Sequence, residues 1–282
     1  MAEVDLAALA DAGAFVSHEH QSHLAELVRA DGWRIDAAGS ALVFVDAEGQ
    51  ERTVRAHFIG TSSPEDGTWL WGWDNINGFP RSFVKQSERV RALGERYAIR
   101  EFTTATLPLE EDLPATLLKA VKAVTGVTAH FSAATGNGGT RAWLLLDDPY
   151  LALPEPTVAR AVAVLTSALA AGGPADHRRA LLAWTQQRGA GLVHVDQDVD
   201  ELALPDGALQ VRFDVADRIA GLGKRLREAP QPEAAPAPVQ QAPAQREPVA
   251  PLRPAADPEP EALPEPEAEE PRRGFLQRLL GL

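Results

Sequence analysis

The sequence contains no cysteine and has fewer basic than acidic residues. The absence of thiols excludes disulfides, cysteine nucleophiles, thiolate zinc sites and iron–sulfur clusters, and it is typical of a protein of the reducing cytosol. The 27 Lys and Arg residues face 40 Asp and Glu residues, which gives a net charge of −13. Nucleic acid is therefore not expected as a partner, because phosphate neutralisation needs clustered basic side chains.

Long apolar runs and an export signal are also missing from the sequence. Residues 1–13 have neither the basic stretch nor the apolar core of a secretion signal. No run reaches the roughly 18 apolar residues of a membrane-spanning helix. We therefore expect a cytoplasmic protein that is neither exported nor integral to a membrane. No catalytic motif is evident, and no cofactor is expected.

Proline divides the chain into three parts. Thirteen of the 22 prolines lie between Pro230 and Pro271, and the ten acidic residues from Glu228 to Pro271 face only Arg246 and Arg253. A segment of this composition cannot form a packed core. The sequence thus predicts a folded domain at 1–227, a disordered acidic linker at 228–271 and a short amphipathic helix at 272–282.

Apolar alternation predicts a meander in the first third of the folded domain. A helix with Ser17 as its N-cap precedes the meander. Turn-forming pairs join four strands. These strands are predicted at Trp33–Asp36, Leu42–Asp46, Thr53–Ile59 and Thr68–Trp73.

Beyond the meander, a period of about 3.6 residues predicts helices at 82–97, 112–125, 158–169 and from the Asp176 cap onwards. Hairpin strands are predicted between these helices, in the order Val127–Ser132, Arg141–Leu146, Leu192–Val195, Glu201–Leu204 and Leu209–Phe213. A closing helix is predicted to end near Arg227. Hairpin links rather than alternating strand–helix units indicate an antiparallel α+β domain with helices on one face of the sheet.

The segment Thr68–Asn75 is the most unusual part of the folded domain, because it contains three tryptophans at alternate positions. Residues two apart on a strand share a face, so Trp69, Trp71 and Trp73 are predicted to point the same way. The three indoles either anchor helix 82–97 against the sheet or line a ligand groove with Asp74 and Asn75 at its rim. We favour the core interpretation.

This motif resembles an uncharacterised bacterial family of domains of unknown function, whose members carry a GTWxWGWxN stretch. The stretch corresponds to Gly67–Asn75 here, and a helix with Leu93-Gly94 and then Ile99 follows it. The resemblance covers about residues 15–210. It implies no activity, because the family has no agreed catalytic residues. The layout is also similar to the type III secretion chaperone-like fold, an association that concerns the fold alone.

Two groups of side chains are reminiscent of metal sites, but we expect no metal. His20 and His23 share a helical face beside His18 and Glu19, yet a third ligand is missing, so solvated first-turn histidines are expected. Asp196, Asp198 and Asp200 match the start of an EF-hand loop, which then lacks its glycine and its bidentate glutamate. The glycine-rich segments 136–139 and 221–224 lack the context of nucleotide-binding loops.

The C-terminal eleven residues are basic and apolar, unlike the acidic linker before them. A helix would place Phe275, Leu276, Leu279 and Leu280 on one side. The basic residues of this segment are Arg272, Arg273 and Arg278. The segment resembles the membrane-targeting sequence of the cell-division ATPase MinD, which implies attachment to a membrane.

Three hypotheses follow from the sequence. The first is a non-enzymatic adaptor whose domain binds a protein and whose tail attaches reversibly to an anionic membrane surface, at the inner membrane face. The second is a tail that serves as a peptide ligand for a groove in a partner protein, without lipid contact. The third is an enzyme or small-molecule site at the tryptophan-rich face. A tail that docks on its own domain is the simplest alternative to the first two.

Overall fold

The computed structural model describes residues 4–135 and 139–226, without the side chains of 29–31 and 226. Within these residues the helices are α1 (Leu6–Leu27), α2 (Arg81–Tyr97), α3 (Arg100–Thr103), α4 (Leu113–Thr125), α5 (Val158–Ala170) and α6 (His177–Arg188). The first seven strands are β1 (Val28–Asp36), β2 (Ala41–Asp46), β3 (Glu51–Ser63), β4 (Thr68–Trp71), β5 (Thr106–Pro108), β6 (Ala129–Ala134) and β7 (Arg141–Asp147). The last four are β8 (Gly191–Asp196), β9 (Val199–Leu204), β10 (Gly207–Phe213) and β11 (Ile219–Leu226).

The first seven strands form one antiparallel sheet around the long strand β3. At Arg55, β3 pairs with Ala41 of β2 and with Asp147 of β7, so these two strands lie on opposite edges of β3. At Thr61 it pairs with Leu70 of β4 and again with β7. Strands β2 and β4 therefore pair with the same edge of β3, one with each half of its length. Strand β7 pairs with the opposite edge, and β6 pairs with β7.

The last four strands form a second antiparallel sheet in the order β11-β10-β9-β8. Helices α5 and α6 precede this sheet and pack apolar side chains against it in one cluster that includes Trp184, Leu202 and Val211. Side-chain caps fix where both helices begin, because Thr157 accepts from the Arg160 N–H and Asp176 from the Arg179 N–H. The antiparallel α+β class predicted from the sequence is confirmed.

Helix α1 connects the two sheets. Leu9 and Ala10 belong to the cluster that contains the tryptophans of β4, whereas Phe15 belongs to the cluster under the second sheet. Leu24 joins a third cluster, on the other side of the first sheet. Ala12 belongs to a small fourth cluster, so one helix contributes to four apolar clusters.

Two predicted helices differ from the observed elements. Helix α1 begins at Leu6 instead of Ser17, because Asp5 caps it by accepting from the Ala8 N–H at 2.7 Å. The predicted closing helix is wrong, because residues 219–226 form strand β11, which pairs along β10. Gly221 and Gly223 lie in this segment, and glycine disfavours a helix interior. The predicted linker and tail helix lie outside the described residues.

Candidate functional site

Trp69 and Trp71 lie on β4 and share a face, as the alternation predicts. They are 0% and 2% exposed. Their rings meet edge to face with centroids 5.5 Å apart, and Trp71 Nε1 donates to the carbonyl oxygen of Glu101 at 2.8 Å. The structure thus places both indoles in the core.

Trp73 does not continue the strand, and the predicted strand end at Trp73 is wrong. Strand β4 ends at Trp71, and Gly72–Asp74 form a single 3-10 turn. Asn75, which ends this turn, adopts left-handed backbone with φ 49°. The Trp73 ring is half-buried, and the Arg91 guanidinium lies 4.6 Å from its centroid.

The proposed polar rim of the tryptophan groove has a structural role at Asn75. Its Nδ2 donates to the carbonyl oxygen of Phe79 at 2.9 Å, and its Oδ1 accepts from the Phe79 N–H at 2.8 Å. Asp74 is exposed. Asn75 therefore closes the loop that leads into α2.

The predicted docking residues of the tail lie outside the described part of the chain. They are Arg272, Arg273, Phe275, Leu276, Arg278, Leu279 and Leu280.

A polar network that the sequence did not indicate lies between α1, α4 and β6. Lys122 of α4 is 0% exposed, and its Nζ donates to Ser17 Oγ at 2.7 Å. The same Nζ lies 2.7 Å from Nδ1 of His130. Gln21 bonds both backbone groups of His130, accepting from its N–H and donating to its carbonyl oxygen. Burial lowers the pKa values of Lys122 and His130 well below their usual range.

A second buried group joins α1 to α6. Glu19 accepts a hydrogen bond from Trp184 Nε1 at 2.8 Å. Arg188 Nε lies 3.2 Å from Glu19 Oε2, an ion pair that lacks hydrogen-bond geometry. The Arg188 guanidinium also donates to the carbonyl oxygen of Pro154. Burial raises the pKa of Glu19 and lowers that of Arg188.

The histidines of α1 are not solvated first-turn side chains, so that interpretation is wrong. Because α1 begins at Leu6, they lie deep in the helix. His18 Nε2 contacts Ser167 Oγ at 2.8 Å. His20 Nδ1 is buried without a hydrogen-bond partner among the described residues, and burial lowers the pKa of His20 to about 3.

The chemistry of Ser17, Lys122 and His130 is that of an acid–base set, since a neutral amine beside a hydroxyl can accept its proton. Lys122 is 0% exposed and lines neither of the two clefts described below, so in this conformation the three side chains serve to join α1, α4 and β6. The helical period of α4 could have predicted that Lys122 is buried. Lys122 follows Leu118 by four residues on α4, so it belongs to the buried side of that helix.

Two surface clefts have the size of small-molecule sites. The α4 cleft, of about 480 Å³, lies beside the first turn of α4. Its wall includes Leu6, Arg100, Glu101, Leu107, Glu110 and Asp112. The α2 cleft, of about 490 Å³, lies beside the first turn of α2. Its wall includes Ser40, Arg55, His57, Ser82, Lys85 and Asp148.

His57 is the buried titratable group of the α2 cleft. Its Nδ1 lies 3.1 Å from the carbonyl oxygen of Ser82, and its Nε2 is buried without a hydrogen-bond partner among the described residues. Nε2 also lies 3.8 Å from Oδ2 of Asp147. Burial lowers the pKa of His57. The hydroxyls of Ser40 and Ser82 are 2.7 Å apart.

Within residues 4–135 and 139–226, no three His, Asp or Glu side chains form a group that could hold a metal ion. No helix in that part of the chain is long and apolar enough to cross a bilayer.

A family model described as "Family of unknown function (DUF6882)" matches residues 7–149. The matched region begins in α1 and ends just after β7, so it contains the tryptophan segment, the Lys122 network and the α2 cleft. Helices α5 and α6 and the second sheet follow it. No curated protein and no solved structure matches the chain.

Proposed function

The chain belongs to this family of unknown function, and we propose that it is a non-enzymatic adaptor that attaches reversibly to an anionic membrane surface through residues 272–282. In this proposal the folded domain binds a protein partner, and the tail brings that partner to the inner membrane face. The observation that carries the proposal is the composition of the tail, RRGFLQRLLGL, which follows an acidic, proline-rich segment.

The tail has the residues of an interfacial helix. Four large apolar side chains fall on one side of a helix, and three arginines provide attraction to anionic lipid. A helix of this length is marginal in water, because isolated helices need about 12 to 15 residues. The tail is therefore proposed to become helical where its apolar side is buried.

The expected affinity of one tail is low. Each buried apolar side chain contributes at most about 1.5 to 3 kcal/mol, less the cost of ordering the segment. Each arginine near anionic lipid adds about 1 kcal/mol. A single copy should thus bind weakly and reversibly, and two copies held together should bind much more tightly.

The distance between domain and tail suits an adaptor. The described domain ends in β11, and residues 227–271 separate it from the tail. A flexible coil of that length has an end-to-end distance of about 35 to 40 Å. The domain could therefore bind its partner without contacting the bilayer.

An exposed apolar edge supports the partner-binding role of the domain. Strand β8 ends the order of the second sheet, and Val193 and Val195 on it are 58% and 53% exposed. Residues two apart share a face, so the two valines lie together. Edge strands with exposed apolar side chains are surfaces that partner proteins cover.

Co-sedimentation of the full chain with vesicles tests the membrane proposal. Wild-type protein should sediment with vesicles that contain anionic lipid, and deletion of residues 272–282 should abolish this. Leu279→Glu should also abolish it, because a charge on the apolar side opposes insertion. Leu263→Glu, the same change in the acidic segment, is the matched control and should sediment like the wild type.

The arginine variants distinguish insertion of the apolar side of the tail into the bilayer from adsorption of the tail by charge alone. Arg278→Gln should weaken sedimentation mainly at low salt, because surface attraction is screened within about 8 to 10 Å at physiological ionic strength. Arg253→Gln is its control. If artificially dimerised wild-type protein fails to sediment, the membrane proposal is wrong, and a groove in a partner protein becomes the better binding site for Phe275 and Leu279.

A further inference from the structure

The α2 cleft combines three features that suit an anion carrying a hydroxyl group. The first is the N-terminus of α2, where Pro80 provides no side-chain cap and the first turn contains no acidic residue. The leading N–H groups of such a helix attract negative charge. Ser82, in this first turn, forms part of the cleft wall.

The second feature is a pair of exposed cations on different elements. Arg55 comes from β3 and Lys85 from α2, and both belong to the cleft wall. Both positive charges lower the pKa of His57. Two carboxylates lie nearby. The Asp148 carboxylate accepts from the Tyr150 N–H at 2.9 Å, and Asp147 faces Arg55 across the β3–β7 ladder.

The third feature is the unused nitrogen of His57. A carbonyl oxygen can only accept, so the contact with Ser82 places the ring proton on Nδ1 and leaves a lone pair on Nε2. The side chain is only 5% exposed, and neither Nε2 nor the neighbouring Asp147 carboxylate can donate to the other. A hydrogen-bond donor is therefore missing at this position. Buried polar atoms without a partner are rare in folded proteins.

We propose that the α2 cleft binds a phosphate or phosphomonoester group, with the N-terminus of α2, Arg55 and Lys85 holding its charge. His57 is a positioning residue whose Nε2 accepts from the P–OH group. Phosphate combines negative charge and a hydroxyl donor near neutral pH, whereas sulfate has the charge without the donor. This inference concerns the described domain and does not depend on the tail.

Phosphate titration of the ¹⁵N-labelled full chain tests the site, at pH 6.5 and constant ionic strength. Saturable shifts are expected in the amide signals of Arg81 and Ser82, and sulfate should bind more weakly. Lys85→Gln should reduce phosphate affinity by about five- to tenfold, the loss of one charge-assisted contact. Lys224→Gln, the same change on exposed β11, is the control and should have no effect.

The role of His57 requires its own variant. His57→Phe keeps a ring of similar size and should abolish the preference for phosphate over sulfate. If that variant does not fold, the wild-type comparison still decides, because equal affinity for the two anions would overturn the role of His57. Shifts that do not saturate, or that Lys85→Gln leaves unchanged, would overturn the site.

Vesicle binding distinguishes a phosphate that belongs to a lipid headgroup from one that belongs to a soluble molecule. The chain without residues 272–282 is mixed with vesicles containing phosphatidic acid, whose headgroup is a phosphomonoester. Binding that Lys85→Gln removes would assign the ligand to a lipid headgroup. Phosphate binding in solution without vesicle binding would assign it to a soluble phosphomonoester. Loss of tail-dependent sedimentation in the wild type would affect only the adaptor proposal.

Discussion

The seven-stranded sheet and the four-stranded sheet bury different kinds of side chains. Around the first, aromatic rings pack against one another in two groups. Trp69, Trp71 and Phe102 meet edge to face on one side, and Phe58 and Phe83 stack on the other. The cluster under the second sheet is mainly aliphatic, and its large ring, Trp184, donates to a carboxylate of α1. Ring packing thus dominates the core around the first sheet and aliphatic packing the core under the second, while α1 makes buried polar contacts with both regions.

Helix α1 presents a different row of side chains to each region. Asp11, Phe15 and Glu19, four residues apart, contact the C-terminal region, where Asp11 accepts from the Ala175 N–H and Glu19 pairs with Arg188. Gly13, Ser17 and Gln21 form a parallel row that faces α4 and β6. Apolar contacts tolerate small rotations of a helix, while buried hydrogen bonds do not. The polar rows therefore fix the orientation of α1 between the two sheets.

The largest expected effect is at the aromatic core of the first sheet. Trp71→Ala should lower the free energy of unfolding by about 3 to 5 kcal/mol, because it removes a buried ring and leaves a cavity. Urea denaturation gives the size of the change. Trp33→Ala is the control, since this ring on β1 is partly exposed and its loss should cost about 1 kcal/mol.

Amide exchange extends this test to the comparison of the two sheets. If α1 makes them one cooperative unit, Trp71→Ala should speed exchange in β9 and β10 as well as in β3. Loss of protection in the first sheet alone would show that the two regions unfold independently.

A substitution at Arg188 tests the ion pair between Glu19 of α1 and Arg188 of α6. Arg188→Met should lower the free energy of unfolding by about 3 kcal/mol, because Glu19 then stays buried without its cation. Adding Glu19→Gln should restore most of this loss, since glutamine still accepts from Trp184 and carries no charge. Denaturation of the single and double variants measures the coupling. Additive losses would mean that the pair does not act as a unit.

Two glycines differ in the space that a Cβ would find, because one lies at a close helix contact and the other on an open strand. A Cβ at Gly13 would lie 2.0 Å from the backbone oxygen of Lys119, so Gly13→Ala should force α1 and α4 apart and cost about 1 to 3 kcal/mol or more. A Cβ at Gly223 meets only Gln210 side-chain atoms, at 3.7 Å or more. Gly223→Ala should therefore stabilise by about 0.5 kcal/mol. Thermal denaturation compares the two, and equal effects would contradict the close contact.

The last expected effect is a pH dependence of stability due to His20. Its pKa falls from 6.5 to about 3 on folding, so below pH 6.5 the unfolded chain binds a proton that the folded chain does not. Stability should then decrease with falling pH, with a slope that approaches about 1.4 kcal/mol per pH unit well below pH 6.5. The raised pKa of Glu19 acts in the opposite direction.

The variant His20→Phe isolates this contribution. Between pH 6.5 and 5.5 it should lose about 1 kcal/mol less stability than the wild type, because the unfolded histidine is only half protonated at pH 6.5. The control Ser22→Ala, at an exposed position two residues further along α1, should follow the wild type. Parallel pH profiles of wild type and His20→Phe would contradict the burial of His20.

Local signals in the sequence predicted most elements correctly. The period of 3.6 residues and the Asp176 cap predicted α2, α4, α5 and α6, and turn-forming pairs predicted the hairpins of both sheets except β10–β11. The start of α1 was missed because Ser17 resembles a cap as much as Asp5 does. Strand β11 was missed because the basic residues around Leu226 resemble a helix end, and the pairing with β10 outweighed that preference.

The sequence by itself determined most of the segments that are helices or strands and the shared face of Trp69 and Trp71, because these depend on neighbours within a few residues. Only the tertiary structure decided that Lys122 is buried against Ser17 and His130, that Glu19 pairs with Arg188, and that His57 lies beside the N-terminus of α2. Most of these contacts join residues that are 25 to 169 positions apart, and Lys122 and His130, eight positions apart, belong to different elements. Side-chain burial at such separations depends on how whole elements pack, which no local pattern records.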